Sequence, residues 1–181
     1  VRNLNEHIET IRQLLDDLPK AIAIAGGALA QILSEGGTIY WCGNGGSASD
    51  SQHLAAELVG RFKENRRPLR AVALNSDTSV LTCIGNDFGY AEVFSRQLDA
   101  IGRPGDALVG ISTSGESPNI IRAFEAAREH EMITVALLGK GGGTVFKMAD
   151  EAIVVPSWST ARTARRPSSR TRGSGCTPPR S

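Results

Sequence analysis

Short apolar runs alternate with segments of helical periodicity from Thr38 onward, and this alternation restricts the fold more than any other feature. The runs that predict strands are Thr38–Cys42, Ala71–Leu74, Ala107–Ile111, Ile133–Leu138 and Ala152–Val155. The segments that predict helices are Ala48–Gly60, Ser79–Ile84, Ala91–Ala100, Pro118–His130 and Gly143–Ala149. Strands that alternate with helices form a parallel sheet covered on both faces, because right-handed crossovers carry the chain across the sheet. We therefore expect an α/β fold of the doubly wound, Rossmann- or flavodoxin-like type.

The two ends of the chain differ from this pattern. Residues 3–33 carry apolar side chains at helical spacing, which predicts two helices or one helix bent at Pro19. Beyond Pro156 the chain has no Val, Ile or Leu, and such a segment cannot offset its ordering entropy by burying apolar surface. We expect N-terminal helices over 1–35, an α/β core over 36–157 and a disordered Arg/Ser/Pro-rich tail over 158–181.

Charge and cysteine content argue against several classes of protein. Residues 157–181 hold six of the 20 basic residues and none of the 19 acidic ones, so the body of the chain is acidic. An acidic body argues against nucleic acid as a partner. The widely spaced Cys42, Cys83 and Cys176 predict neither a disulfide framework nor a metal knuckle. No secretory signal is visible and no apolar run approaches membrane-spanning length, so we expect a cytoplasmic protein with no membrane partner.

Two turns that follow predicted strands have the chemistry of anion sites. The first is Gly43-Asn44-Gly45-Gly46-Ser47, and the second is Ser112-Thr113-Ser114-Gly115-Glu116-Ser117. Glycines let backbone N–H groups approach a ligand, hydroxyls donate hydrogen bonds, and each following helix presents its positive end. Either turn alone is explained by ordinary serine capping of a helix. Because both follow strands of one parallel sheet, we expect them to face the same crevice and to bind a phosphate without a lysine.

A dinucleotide is the second candidate for this crevice. The segment GNGGSA at residues 43–48 satisfies the G-x-G-x-x-[GA] pattern. The acidic residue that such sites require about 20 residues further on is poorly placed, since Asp77 lies 31 residues beyond Gly46. We therefore expect no nucleotide cofactor.

Two further polar pairs have alternative interpretations. His53 and Glu57 lie four residues apart on one helix, either as an exposed polar pair or as a general base and half of a metal site. Apolar neighbours such as Leu54 and Leu58 favour the second interpretation. Asn86 and Asp87 follow a short predicted helix, either as an Asx turn or as hydrogen-bonding groups for substrate hydroxyls.

The motifs together resemble the phosphoheptose isomerase family, which belongs to the sugar isomerase (SIS) domain proteins. The resemblance rests on CGNGGSASDSQHLAAEL at 42–58, GR at 60–61, ENRRP at 64–68, GNDFGY at 85–90, FSRQ at 94–97, GRPGD at 102–106 and GISTSGESPNII at 110–121. It runs from about residue 1 to Ser157, which makes 1–157 the SIS domain. It implies a five-stranded parallel sheet, a homotetramer with shared active sites, and one zinc ion per subunit.

The resemblance also implies a reaction and a set of site residues. The reaction converts sedoheptulose 7-phosphate into D-glycero-D-manno-heptose 7-phosphate, the first step towards ADP- or GDP-heptose for bacterial surface glycans. Glu57 would be the catalytic base, and His53 with Glu57 would bind zinc. The substrate would be bound by Asn44, Gly45, Gly46, Ser47, Glu57, Asn86, Asp87, Ser112, Thr113, Ser114 and Ser117.

The chain departs from the family pattern after residue 157. Family members continue with a motif like TxRIQExH, whose glutamine and histidine complete the zinc site, whereas residues 158–181 contain neither residue type. The zinc site is therefore expected to be incomplete and the isomerase impaired. We attribute the change to a frameshift near residues 158–165, and an uninterrupted reading frame in a resequenced gene would refute this hypothesis.

Two alternatives to an enzyme remain at this stage. The first is a non-catalytic SIS protein that binds a sugar phosphate or associates with a replication initiator. Such proteins typically lack a glutamate at the position of Glu57, so its presence favours the isomerase. The second is a regulatory sensor, which would need an attached DNA-binding domain.

Overall fold

The computed structural model describes residues 2–15 and 17–156, in which helices and strands alternate after two N-terminal helices. The strands are β1 (Ile39–Gly43), β2 (Ala71–Ala73), β3 (Ala107–Ser112), β4 (Ile133–Gly139) and β5 (Glu151–Val155). The helices are α1 (Arg2–Leu14), α2 (Leu18–Ser34), α3 (Gly46–Val59), α4 (Thr78–Asp87), α5 (Ser95–Ile101), α6 (Pro118–Glu129) and α7 (Gly143–Met148). A short 3-10 helix, Tyr90–Glu92, precedes α5.

All five strands are parallel and lie in the order β2-β1-β3-β4-β5. This order confirms the predicted doubly wound α/β fold. The strand order reverses between β1 and β3, which pair from Ile39 opposite Ala107 to Gly43 opposite Ile111. Ligands of such sheets bind outside the carboxyl ends of the strands at this reversal. The two predicted anion turns follow these two strands.

Successive side chains of a strand point to opposite faces of the sheet, so alternate residues of each strand belong to two different hydrophobic cores. Tyr40, Cys42 and Leu108 belong to one buried cluster, which includes the side chains of α5 and α6. Ile39 and Trp41 belong to the other, which includes those of α2 and α3. The sheet is therefore buried on both faces, and this explains why its strands are continuous apolar runs in the sequence.

The N-terminal segment forms two helices, because Pro19 lies in the first turn of α2. Proline is favoured there, since its missing N–H would have no helical partner. α2 packs on β1 and β5. α1 exposes the apolar side chains that predicted it, namely Leu4, Ile8, Ile11 and the adjacent Leu15. The described chain thus leaves an apolar stripe without a covering partner.

One predicted helix begins later than the sequence suggests. The sequence predicted a single helix over Ala91–Ala100, and the start of this prediction is wrong. The structure has a 3-10 turn that ends at Glu92, and α5 begins only at Ser95. Val93 and Phe94 lie between the 3-10 turn and α5, and both side chains are completely buried. Their packing in the core determines the backbone conformation here, in place of continuous helical hydrogen bonds.

The predicted tail over 158–181 lies outside the described residues, as does residue 157. Residues 18–156 leave an apolar trough of about 710 Å³ between α2 and the ends of β3, β4 and β5, lined largely by Leu18, Ile22, Ile111, Leu137, Ile153 and Val155. Within the described ranges, no helix combines the length and the apolar character needed to cross a membrane.

Candidate active site

Residues of both predicted anion turns line one cavity of about 190 Å³ at the carboxyl edge of the sheet, here termed the hydroxyl cavity. Its lining residues are Asn44, Ser47, Ile111, Ser112, Thr113, Ser114, Ser117 and Lys140. The turn after β1 passes through Gly45 at φ 57°, a left-handed conformation that admits glycine easily. The turn after β3 ends at Pro118, the first residue of α6. Two strand ends and two helix starts therefore converge on one small polar space.

The hydroxyls of the hydroxyl cavity divide into two groups. Ser112 Oγ accepts a hydrogen bond from Gly115 N at 3.1 Å, and Ser114 Oγ accepts one from Glu116 N at 3.2 Å. These two bonds shape the turn. The side chains of Ser47, Thr113 and Ser117 have no hydrogen-bond partner among the described residues, and Ser117 does not cap α6 with its hydroxyl. These hydroxyls, and the first N–H groups of α6, can donate hydrogen bonds to an anion.

Asn44 is oriented by a residue that the sequence analysis missed. Asn119, which is 2% exposed, accepts from Asn44 Nδ2 at 2.9 Å and donates from its own Nδ2 to Asn44 Oδ1 at 2.8 Å. Tyr90 donates its hydroxyl to the same Asn44 oxygen at 3.2 Å. The sequence does contain a feature that could have identified Asn119. It is a polar residue that directly follows Pro118 at the start of a helix with many apolar residues.

Lys140 was also missed, although it is the one charged residue that lines the hydroxyl cavity within the described chain. From the sequence we expected a phosphate to bind without a lysine. The signal was GKGGG at residues 139–143, a third glycine-rich turn at the end of a strand.

Asn86 and Asp87 do not line the hydroxyl cavity and do not form a turn after a helix. They are the last two residues of α4. The next residue, Phe88, still donates its backbone N–H to Ile84 O at 2.9 Å, so the helical hydrogen bonding includes both residues. Asn86 Nδ2 donates to Asp87 Oδ1 at 2.8 Å, and both side chains are exposed. The Asx-turn interpretation is therefore wrong, because the backbone stays helical. Tyr90, three residues on, links this end of α4 to Asn44.

Asp77, the acidic residue considered for a dinucleotide site, has a structural role. Its carboxylate accepts from Val80 N at 2.9 Å and so caps the N-terminus of α4. This capping role explains Asp77 without a ribose ligand.

His53 and Glu57 share one face of α3, with His53 Nε2 3.7 Å from Glu57 Oε1. The His53 side chain is 72% exposed and that of Glu57 is 29% exposed. Both line a second cavity of about 340 Å³, here termed the glutamate cavity, together with Trp41, Arg66 and the apolar side chains of Leu29, Ile39, Leu54, Leu58 and Phe62. Glu57 Oε2 is buried there and has no hydrogen-bond partner in the described part of the chain.

The end of α3 that carries Glu57 is held by Arg66. Its guanidinium donates to Glu57 O at 2.7 Å and to Leu58 O at 2.8 Å, so a cation satisfies carbonyls at the negative end of the helix. This contact gives one physical reason for the ENRRP motif to follow α3.

The hydroxyl and glutamate cavities have no lining residue in common. α3 begins at the hydroxyl cavity, and Glu57 lies ten residues beyond Ser47, or about 15 Å along the helix axis. A single copy of residues 2–156 therefore does not bring Glu57 to the hydroxyls around the first cavity.

His53 and Glu57 offer two ligands to a metal ion. A protein zinc site normally uses three or four, and no group of three or more His, Cys, Asp or Glu side chains suited to a metal occurs in the described ranges. The residues of these ranges thus do not make a complete zinc site by themselves. Cys42 and Cys83 are free cysteines, and burial raises the pKa of Cys42 to about 12.

Comparisons with known proteins agree with this fold. Residues 4–139 match the SIS domain family. The chain is 52% identical over 157 residues to the phosphoheptose isomerase of Campylobacter jejuni serotype O:6, covering 87% of this chain and 84% of that protein. It is 52% identical over 164 residues to the phosphoheptose isomerase of Akkermansia muciniphila, with 87% of each chain covered.

A solved structure supports the same assignment. Phosphoheptose isomerase GmhA from Neisseria gonorrhoeae superposes with a TM-score of 0.81 at 45% identity, covering 89% of this chain and 86% of that one. The resemblance predicted from the motifs is thereby confirmed. The chain belongs to the phosphoheptose isomerase family of SIS-domain proteins, a family of isomerases.

Proposed function

We propose that this chain isomerises sedoheptulose 7-phosphate to D-glycero-D-manno-heptose 7-phosphate in the cytoplasm, as the first step towards nucleotide-activated heptose. The observation that carries the proposal is the hydroxyl cavity, which combines serine and threonine hydroxyls, a helix N-terminus and a lysine, and which no acidic side chain of the described residues lines. This donor set suits a phosphate. Ser112, Thr113, Ser114 and Ser117 are the proposed phosphate ligands, and Asn44, Gly45, Gly46, Ser47, Asn86 and Asp87 are proposed to bind the sugar.

Glu57 is the proposed general base. It removes a proton from C1 of the ketose, and the electron pair of that bond forms the C1–C2 double bond of an enediolate. Transfer of the O1 proton to O2 and return of the proton from Glu57 to C2 then give the aldose, so atoms and electrons balance without a redox or nucleotide cofactor. The buried, unpartnered Glu57 Oε2 supports this role, because a carboxylate oxygen without an internal partner is free to accept a proton.

The separation of the two cavities supports an active site shared between copies of the chain. Seven bonds join C2 to phosphorus in the substrate, which span about 8 Å when extended, whereas Glu57 lies about 15 Å along α3 from Ser47. The base over C1 would then come from a second copy. The exposed apolar stripe of α1 is consistent with assembly, and we propose a homotetramer.

Zinc, which the family resemblance implies, would take His53 and Glu57 as two of its ligands. The described residues of one copy supply no third ligand, and the steps proposed above use only the side chains of the protein itself. Residues 158–181 contain no glutamine and no histidine that could complete the site or act as the second acid. We therefore expect slow overall turnover but intact proton abstraction from C1.

Exchange of the C1 proton tests this function, because it needs the base alone. We expect proton NMR in D₂O to show loss of the C1 signal of sedoheptulose 7-phosphate in the presence of the chain. Glu57→Gln should slow this exchange by about a hundredfold or more. Glu129→Gln, an exposed change at the end of α6, is the matched control and should exchange at the parent rate.

Two outcomes would contradict the proposal. Exchange at the parent rate in Glu57→Gln would remove Glu57 as the base. Binding of the sugar phosphate without any exchange by the parent chain would instead favour the non-catalytic SIS protein.

A further inference from the structure

A third turn, from Gly139 to Thr144, contributes the positive charge at the hydroxyl cavity. It joins β4 to α7 and contains Lys140, which lines the cavity beside neutral hydroxyls. In the described part of the chain, Lys140 has no acidic ion-pair partner. Among the described residues that line this space, Lys140 alone carries a formal charge.

The backbone of this turn has an unusual conformation. Lys140 has φ 47°, one of two non-glycine residues with positive φ in the described ranges, and glycines with positive φ follow it at 141, 142 and 143. A lysine in the left-handed region costs about 1 kcal/mol or more, so surrounding contacts must hold it there.

Those contacts come from the turn after β3. A Cβ atom on Gly115 would overlap the carbonyl group of Gly142, which shows that the two backbones are in direct contact. Val145 N also donates to Gly115 O at 3.1 Å. The two turns are therefore joined through backbone atoms next to the hydroxyl cavity.

Glu116 closes this junction with both carboxylate oxygens. Thr144 donates from its backbone N to Oε1 at 2.7 Å and from its hydroxyl to Oε2 at 2.8 Å. The carboxylate thus binds the start of α7, where negative charge is favourable. Both carboxylate oxygens of Glu116 are thus occupied by Thr144, and Glu116 forms no ion pair with Lys140 among the described residues.

We propose that Lys140 binds the substrate phosphate and makes the site specific for phosphorylated sugars, and that Glu116 is the residue that positions the Lys140 turn. The inference deepens the proposed function and rests on it. An ammonium group on a long flexible stem supplies the charge that serine hydroxyls and helix N–H groups lack. A sugar without phosphate gains nothing from that charge, so Lys140 would discriminate between the two ligands.

Titration calorimetry of the full chain with sedoheptulose 7-phosphate tests the role of Lys140. We expect Lys140→Met to weaken binding by about tenfold or more, since a hydrogen bond to a charged group is lost. Lys147→Met removes an equal charge from α7 outside the cavity and should bind like the parent. Unphosphorylated sedoheptulose should bind weakly and equally to all three proteins.

The role of Glu116 is tested by coupling between the two residues. Glu116→Ala should weaken binding of the sugar phosphate by severalfold in the parent but have no further effect in Lys140→Met. Glu116→Gln, which keeps one oxygen acceptor for Thr144, should recover part of the affinity. Equal losses of affinity in both backgrounds would show that Glu116 acts independently of Lys140 and would overturn its positioning role.

The outcomes separate the two proposals. A parent chain that does not bind sedoheptulose 7-phosphate contradicts the proposed function. A parent that binds it, with Lys140→Met binding equally well, contradicts only the assignment of Lys140.

Discussion

Replacement of Asn119 by leucine tests whether a buried amide pair sets the geometry of the candidate active site. Leucine has nearly the shape of asparagine, so the change removes hydrogen bonds without opening a cavity. The two bonds lost are those to Asn44, at 2.9 and 2.8 Å. Tyr90 keeps its contact with Asn44 Oδ1, but Asn44 Nδ2 loses its acceptor and nothing else fixes the orientation of the amide among the described residues.

The expected loss of stability follows from those two hydrogen bonds. Each hydrogen bond contributes about 1 kcal/mol net, so the free energy of unfolding should fall by about 2 kcal/mol. In a chain of this size, that loss corresponds to a decrease in Tm of about 4 to 8 °C. Because the Asn44 side chain would no longer be held towards the cavity, binding of sedoheptulose 7-phosphate should weaken by about fivefold to tenfold.

Thr134→Val is a matched control at the opposite edge of the sheet. Thr134 is completely buried, donates to Asp150 Oδ2 at 2.7 Å and accepts from Asp150 N at 3.0 Å. Valine preserves its shape, so this variant also loses two side-chain hydrogen bonds. Urea unfolding should show a similar loss of stability for both variants, and calorimetry should show weaker ligand binding for Asn119→Leu alone. Parent-like affinity in a destabilised Asn119→Leu would refute the argument that this pair orients Asn44.

Three further predictions concern the backbone, a thiol and a helix end. Gly115→Ala should reduce sugar-phosphate affinity by more than tenfold and destabilise the chain by more than Gly105→Ala, because both add a Cβ at positive φ but only the first meets a neighbouring backbone. Cys42 should not react with a thiol reagent at pH 8 until urea unfolds the chain, because its raised pKa of about 12 keeps it protonated; reaction in the native state would contradict its complete burial. Arg66→Met should lower the free energy of unfolding by about 1 kcal/mol and slow C1 exchange, since the carbonyls at the end of α3 lose their cation; unchanged exchange would separate Arg66 from Glu57.

The fold could be predicted from the sequence because its signals are local and repeated. Each buried strand is a continuous apolar run, and three of the seven helices in the described ranges begin at glycine or proline, as at Gly46 and Pro118. The start of α5 could not be predicted in this way. There, the burial of Val93 and Phe94 against the rest of the core determines where the helix begins.

The candidate site was predictable where its residues lie in turns directly after strands. The serines of the turn after β3 belong to this class, because topology alone assigns that turn to the carboxyl edge. Asn119 and Lys140 were missed, since their relevance depends on contacts with Asn44 and with the hydroxyl cavity across long sequence separations.

The sequence by itself determined the layered α/β fold, the family and the chemical character of the two anion turns, because each depends on residue types at short spacing. Only the tertiary structure decided that Lys140 joins the serine turn, that Asp77 caps a helix and that Glu57 lies in a separate cavity. The physical reason is the length and direction of α3, which runs from one cavity to the other and separates residues that are close in sequence.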